Sequence, residues 1–257
     1  MEKLIANYHT HTYRCGHAEG TDREYIENAI AAGIKILGFS DHSPMIFPSG
    51  HTSSFRVPAE KAQDYFDCLT LLKEEYKNDI EIHIGVEAEY YPHLFDSYLE
   101  YMSAFPCEYF ICGQHFIYDE ENGNSSFGKT DDVNILSSYF DNLIEAVKTE
   151  KFLYIAHPDL VNFTGDDETY AFHAKRFLKV ALEYDIPLEV NRLGLEDGRQ
   201  YPKDLFWKCA AETGNRAIIG VDAHSPGPLS DLAMHRKCIE YAEKFGVKLI
   251  EDNILSL

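Results

Sequence analysis

The segment Asn7–His17, NYHTHTYRCGH, sets three histidines within nine positions behind a short apolar run. Residues two apart on an extended strand face the same way, so His9 and His11 can grip one cation together. His17 follows in the next loop. The same residue types recur where other apolar runs end: Asp41 and His42 in GFSDH, Glu87 and Glu89 in GVEAEY, His115 in GQHF, His157 and Asp159 in AHPD, and Asp222 and His224 in GVDAHS. Any one of these has an ordinary explanation as a satisfied core histidine or a rim carboxylate. Six of the seven strand candidates ending in this way do not. Imidazole with carboxylate suits zinc, manganese or iron, and a carboxylate has two oxygens, so one central acid is expected to bridge two ions. His83 shares the face of Glu87 but lies too deep for the site. His51, His93, His173 and His235 fall in loops or helices and are read as ordinary, and Cys15 as a plain loop thiol.

Parallel strands are the elements that can bring such distant residues together. The strand candidates are LIANYH, ILGFSDH, IEIHIGVEAEY, EYFICGQHF, FLYIAHP, IPLEVNRL and NRAIIGVDAH. Between them lie segments with apolar spacing near 3.6, such as DREYIENAIAAG and VNILSSYFDNLIEAVKT, several opening after Thr, Asp or Pro and closing at Gly or Asn. Strand and helix in alternation predict parallel βα units. About seven such units, with VKLI as a possible extra strand, predict one α/β domain over residues 1–257, a distorted seven-unit barrel of the TIM type. Its metal site would sit at the C-terminal ends of the strands, where such barrels carry their active sites.

The chain of 257 residues has a formal charge of -20 and 45% hydrophobic residues. That is enough apolar material for a sizeable core, and the acidic surface argues against nucleic acid. No run of 18 apolar residues is present, so no membrane span is expected. The six cysteines lack any CxxC pair and are read as reduced thiols. With no export signal recognised at the start, a cytoplasmic location is expected. Oligomeric state is left open.

Taken together, YHTHTYRCGH, GFSDH, GVEAEY, GQHF, AHPD and GVDAHS resemble the polymerase and histidinol phosphatase (PHP) family, in its stand-alone histidinol-phosphatase form. The resemblance spans residues 8–225. It implies a distorted barrel holding two to three divalent transition metals. One ion would be held by His9, His11, Glu87 and Asp222, a second by Glu87, His115 and His157, and a third by His17, His42 and His224. Glu87 would be the bridge, and Glu89 would hold no metal. The implied reaction is hydrolysis of a phosphomonoester, with L-histidinol phosphate in histidine biosynthesis as the expected substrate. Glu87, Asp222 and His224 are the expected catalytic groups, Asp222 or a rim histidine passing a proton to the leaving group.

The substrate's own contacts are less marked. Family members that cleave histidinol phosphate often carry a basic residue shortly after the strand-five histidine, and Asn162 stands there in AHPDLVNFTG. Arg192 at the end of strand six is therefore the expected phosphate contact, with Arg14 and Arg56 as alternatives, though each could be an ordinary ion pair. Asp41 could meet a substrate amine or orient a ligand histidine. The loop SPMIFPSGHTSSFRV is the expected lid. Three competing readings remain: an esterase for nucleotides or another small phosphate, a non-catalytic metal-binding module, and a barrel hydrolase of C–N bonds.

Overall fold

The structure is a computed structural model that describes residues 4–250 and 253–256; residues 1–3, 251, 252 and 257 of the expected domain lie outside the described residues. Eight strands run in parallel: β1 (Ala6–Asn7), β2 (Ile36–His42), β3 (Glu81–Ala88), β4 (Tyr109–Cys112), β5 (Phe152–Ile155), β6 (Leu188–Asn191), β7 (Arg216–Gly220) and β8 (Lys248–Leu249). They pair in chain order. The expected distorted barrel is present, and VKLI supplies the eighth strand. Beyond β1 the chain meets the chain beyond β7 through a parallel bridge, Thr10 to Ala223. The His11 N–H donates to the Ala223 carbonyl at 3.0 Å. This contact joins the first and seventh strands at the C-terminal mouth. β8 pairs with the start of β7, at the opposite end.

The helices are α1 (Asp22–Ala32), α2 (Ala62–Glu75), α3 (Phe95–Met102), α4 (Val133–Lys148), α5 (Asp167–Glu183), α6 (Arg192–Asp197), α7 (Asp204–Thr213), α8 (Gly227–Ser230) and α9 (Leu232–Phe245). Local chemistry sets their ends. Thr21 and Glu24 form a reciprocal capping box at the start of α1, and Gly33 ends it at φ 78°, a left-handed conformation that glycine tolerates best. α1 buries Tyr25, Ile26 and Ala29, a helical stripe facing the sheet. β2 is buried along its whole length, as expected for a strand covered on both faces. Among the described residues, no helix is long and apolar enough to cross a membrane.

Two apolar layers hold the barrel. The larger lies between sheet and helices. The smaller fills the barrel's floor with Tyr8, Ile36, Tyr109, Ile111, Tyr154 and Ile218. Tyr109 crosses the interior and donates its hydroxyl to the carbonyls of Tyr8 (2.9 Å) and Phe39 (3.0 Å). Gly38 makes that crossing possible: a Cβ there would stand 2.2 Å from the Tyr109 hydroxyl and 2.9 Å from Tyr8 Cα.

Gly38→Ala should therefore destabilise the protein by about 1–3 kcal/mol, the usual cost of overpacking. Tyr109→Phe in the same chain should recover part of the loss. Urea unfolding of the three variants checks this, and an alanine variant as stable as the parent would show that the floor yields.

Candidate metal centre

The strand ends meet around Glu87. Register places His42 of β2 beside Glu87 of β3, and the alternation that points Glu87 inward also points Glu89 inward. Five imidazoles face the Glu87 carboxylate. Oε1 lies 3.7 Å from His9 Nε2, 3.6 Å from His115 Nε2 and 2.9 Å from His157 Nε2. Oε2 lies 3.8 Å from His11 Nε2 and 2.9 Å from His42 Nδ1. Asp222 Oδ1 comes within 3.5 Å of His9 Nε2 and 3.1 Å of His11 Nε2. At the rim, His17 Nε2 and His224 Nε2 stand 3.1 Å apart. All nine expected ligands thus converge.

The hydrogen bonds fix which ring nitrogens carry protons. His9 Nδ1 donates to Glu189 (2.8 Å), His11 Nδ1 to Asp41 (3.3 Å) and His115 Nδ1 to Glu89 (3.3 Å). His17 Nδ1 donates to the Cys15 carbonyl (3.3 Å) and His224 Nδ1 to the Asp222 carbonyl (3.1 Å). In the neutral ring, each of these five presents an Nε2 lone pair to the cluster. Two lone pairs facing each other at 3.1 Å repel unless a cation lies between them. Ligands of one tetrahedral zinc, at bonds of ~2.0–2.1 Å, stand about 3.3 Å apart. The separations here fit that spacing. The buried atoms His9 Nε2, His11 Nε2, His42 Nδ1 and Glu87 Oε2 have no hydrogen-bond partner, which is the condition expected of metal ligands. Several groups of three, among them His9–His11–Asp222, His9–Glu87–His157 and His42–Glu87–His115, could each hold an ion. The donor set fits more than one metal.

The electrostatics agree. Burial alone would lower His9, but Glu189, Asp222 and Glu87 outweigh it and hold the ring well above the usual imidazole range. His11 behaves alike, at about 9, through Asp222 and Asp41. Burial and the neighbouring His11 push His42 well below that range and His224 down to about 3. Burial would raise Glu87, yet His115, His42 and His9 hold it well below the usual carboxylate range. The cluster therefore attracts positive charge at its floor and keeps His42 and His224 neutral. His157 (φ 30°) and Asp222 (φ 54°) adopt left-handed backbone, a strain that commonly persists where function requires it.

The residues expected to touch the substrate are placed differently. Arg192 is buried and pairs with Glu196 (2.5 Å) and Asp231 (3.2 Å), away from the cavity, because α6 begins at that residue. Arg14 pairs with Asp22 and Asp64. Arg56 pairs with Glu89 (2.5 Å) and Glu120 (2.9 Å). All three arginines neutralise carboxylates of the chain itself and do not line the metal cavity. Asp41 takes the orienting role: besides His11, it accepts from the His42 N–H (2.8 Å) and the Thr12 N–H (3.1 Å) and hydroxyl (2.5 Å). Asp159 turns away from the cluster to accept the Lys203 N–H at 2.5 Å. The segment expected as a lid includes Phe55, which lines the cavity.

The sequence reading passed over two features. Glu189 of β6, fully buried, accepts from His9, from the His157 N–H (3.0 Å) and from Asn191 (2.9 Å). Asn191 also donates to Asp222 (3.1 Å). A lone acid inside the apolar LEVN run, on the strand with no assigned ligand, was the available signal. The second is the cavity wall. A cavity of about 440 Å³ opens over the cluster and is lined by Phe55, Phe116, Phe127, Arg199 and Tyr201 besides the ligands. Arg199 pairs with Asp197 (2.7 Å) but stays one-third exposed, with side-chain accessibility 33%.

Comparison with known proteins agrees with this geometry. A histidinol-phosphatase of Lactococcus lactis is 25% identical over 236 residues, covering 87% of this chain and 85% of that protein. A probable histidinol-phosphatase of Deinococcus radiodurans is 28% identical over 232 residues, covering 87% of each chain. The crystal structure of the Lactococcus lactis histidinol phosphate phosphatase, complexed with zinc, L-histidinol and phosphate, superposes with a TM-score of 0.73 at 20% identity, over 97% of this chain and 95% of that one. The PHP domain profile matches residues 7–193. By that match this chain belongs to the PHP domain family.

Proposed function

We propose that this protein is a metal-dependent phosphomonoesterase that hydrolyses L-histidinol phosphate to L-histidinol and phosphate in histidine biosynthesis. The observation that carries the reading is the set of five histidines, His9, His11, His42, His115 and His157, whose ring nitrogens converge around the buried Glu87. The histidinol-phosphatases among its relatives support the substrate. Six unpaired cysteines accord with a reducing, cytoplasmic setting.

His9, His11, Glu87 and Asp222 would form one ion site, Glu87, His115 and His157 a second, and His17, His42 and His224 a third. His42 also turns Nδ1 toward Glu87, so it stands between the last two. Divalent ions held there would supply Lewis-acid activation of water and charge neutralisation at the phosphate. Glu87, shared by the first two residue sets, would be the carboxylate common to both ions. Asp222, held by Asn191, would take up the proton released at the nucleophile and pass it to the departing alcohol oxygen. Glu189, Asp41 and Glu89 hold the imidazole tautomers. Arg199, the cation on the cavity wall, meets the phosphate with its planar fork.

Purified protein never exposed to chelator should carry two to three ions of zinc, manganese or iron per chain and hydrolyse L-histidinol phosphate. Elemental analysis and phosphate release check both, and metal below one per chain that addition does not restore would refute the site. Glu87→Gln should cost more metal and more activity than Glu89→Gln. The second weakens the contact that orients His115, a change of roughly 10–100-fold, and leaves Arg56 without its Glu89 charge partner. Equal losses in two folded variants would show the bridge to be misassigned. Arg199→Ala should lower kcat/KM by roughly 10–150-fold, the value of a charge-assisted hydrogen bond of about 1.5–3 kcal/mol, at unchanged metal content. Arg192→Ala should instead act on stability. Steady-state kinetics beside thermal unfolding separates the two, and the reverse pattern would return the phosphate to Arg192.

A further inference from the structure

The cavity wall opposite the ions is aromatic. Phe55 and Phe116 lie 6.0 Å apart at 31°, and Phe127 stacks on the ligand His115 at 6.0 Å and 13°. Tyr201 packs 5.6 Å from His157 and 6.3 Å from Phe127. Phe127 leaves 41% of its surface exposed at this wall, although nothing of the fold requires it to be. These rings border the metal cluster directly, where the leaving group of a bound phosphate ester must lie.

The same wall offers an ammonium group no acid. Among the described residues lining the cavity, the only carboxylates are Glu87 and Asp222, and both belong to the metal set. Asp41, the acid expected for a substrate amine, lies fully buried beneath His11 with both oxygens engaged. The cation on the wall is Arg199, and its partner Asp197 is engaged in that pair. A pocket with flat apolar faces and no spare anion discriminates by shape and not by charge.

We propose that the leaving group is selected by a flat ring laid against the wall of Phe55, Phe116 and Phe127, and that its amine is left in solvent. This rests on the phosphatase reading above and names the class of ester the site takes: phosphomonoesters of alcohols bearing a flat five- or six-membered ring, charged or not. The wall's edge on His115 holds the ring beside the ions, and Arg199 holds the phosphate at the other side.

The test compares four esters on metal-loaded protein: L-histidinol phosphate, 3-(imidazol-4-yl)propyl phosphate, 3-phenylpropyl phosphate and 2-aminopropyl phosphate. Removing the amine should change kcat/KM by no more than about fivefold, the range of a solvent-exposed ion pair. The phenyl ester should be cleaved on the same scale. Removing the ring should cost roughly 10–150-fold, as for a buried apolar side chain of that size. Phe127→Ala should shrink the ratio of ring to ringless ester several-fold, and Phe127→Leu should restore only part of it, since leucine returns area without a flat face. Metal content of each variant, measured in parallel, shows that the cluster still forms. An amine worth about 100-fold or more, or a ring ratio unmoved in Phe127→Ala, overturns this inference while L-histidinol phosphate is still cleaved. Failure to cleave any of the four overturns it together with the phosphatase reading.

Discussion

Glu87 is a carboxylate at 1% exposure with five imidazoles around it, and the rest of the molecule is arranged on that fact. An ionised acid taken out of water costs several kcal/mol unless it is paired. Among the described residues no lysine or arginine pairs with it, so its compensation has to come through the histidines. Without ions the rings must carry that positive charge as protons, as the raised His9 does; cations held between ring and carboxylate would replace it. The backbone makes room for the acid itself, since a Cβ on Gly113 would stand 1.8 Å from Glu87 Oε1. Glycine at the residue directly after β4 is a requirement of the carboxylate's position.

The shell beneath repeats the same logic one layer down. Asp41, Glu89 and Glu189 each fix a ligand ring from behind, and each is buried. Three more buried acids would be intolerable without their own partners. Glu89 has Arg56 at 2.5 Å and the Tyr91 hydroxyl at 2.5 Å. Asp41 and Glu189 are met by backbone N–H groups, hydroxyls and an amide. Glu189 presses on β7 so closely that a Cβ on Gly220 would stand 1.7 Å from its Oε1. Two interior glycines thus serve two different carboxylates.

This layering explains what the sequence disclosed and what it concealed. Ligand histidines at strand ends are legible because strand alternation and the parallel βα pattern both operate locally. His9 and His11 were placed by parity, Glu87 was told from Glu89 by the family resemblance, and the strands that carry them were found from apolar runs. Charge partners depend on tertiary approach, which no local pattern encodes. Arg192 follows a strand end, as a mouth residue should, but the chain turns into α6 there and carries the side chain toward Asp231. Glu189 was missed for the converse reason: an acid one step short of a strand end looks like an ordinary polar residue until His9 is seen above it. Phe127 and Arg199 lie in connecting segments, where neither period nor motif speaks. The eighth strand was visible only as a possibility, since two residues of ladder leave almost no periodic signal.

The arginines carry one more consequence for an enzyme of net charge -20 acting on a phosphate ester. Arg14, Arg56 and Arg192 are spent on the chain's own carboxylates and add nothing to the potential inside the cavity. Positive charge at the reacting phosphate therefore rests on the ions the cluster would hold, with Arg199, itself paired with Asp197, as the cation on the cavity wall. The long-range field of the surface repels the substrate, and over a Debye length of about 8 Å at physiological salt that repulsion fades. What remains within the cavity is a short-range attraction whose strength follows metal occupancy. Binding and catalysis are then two readings of the same occupancy, and the acidic surface acts as a filter against polyanions too large to enter the pocket.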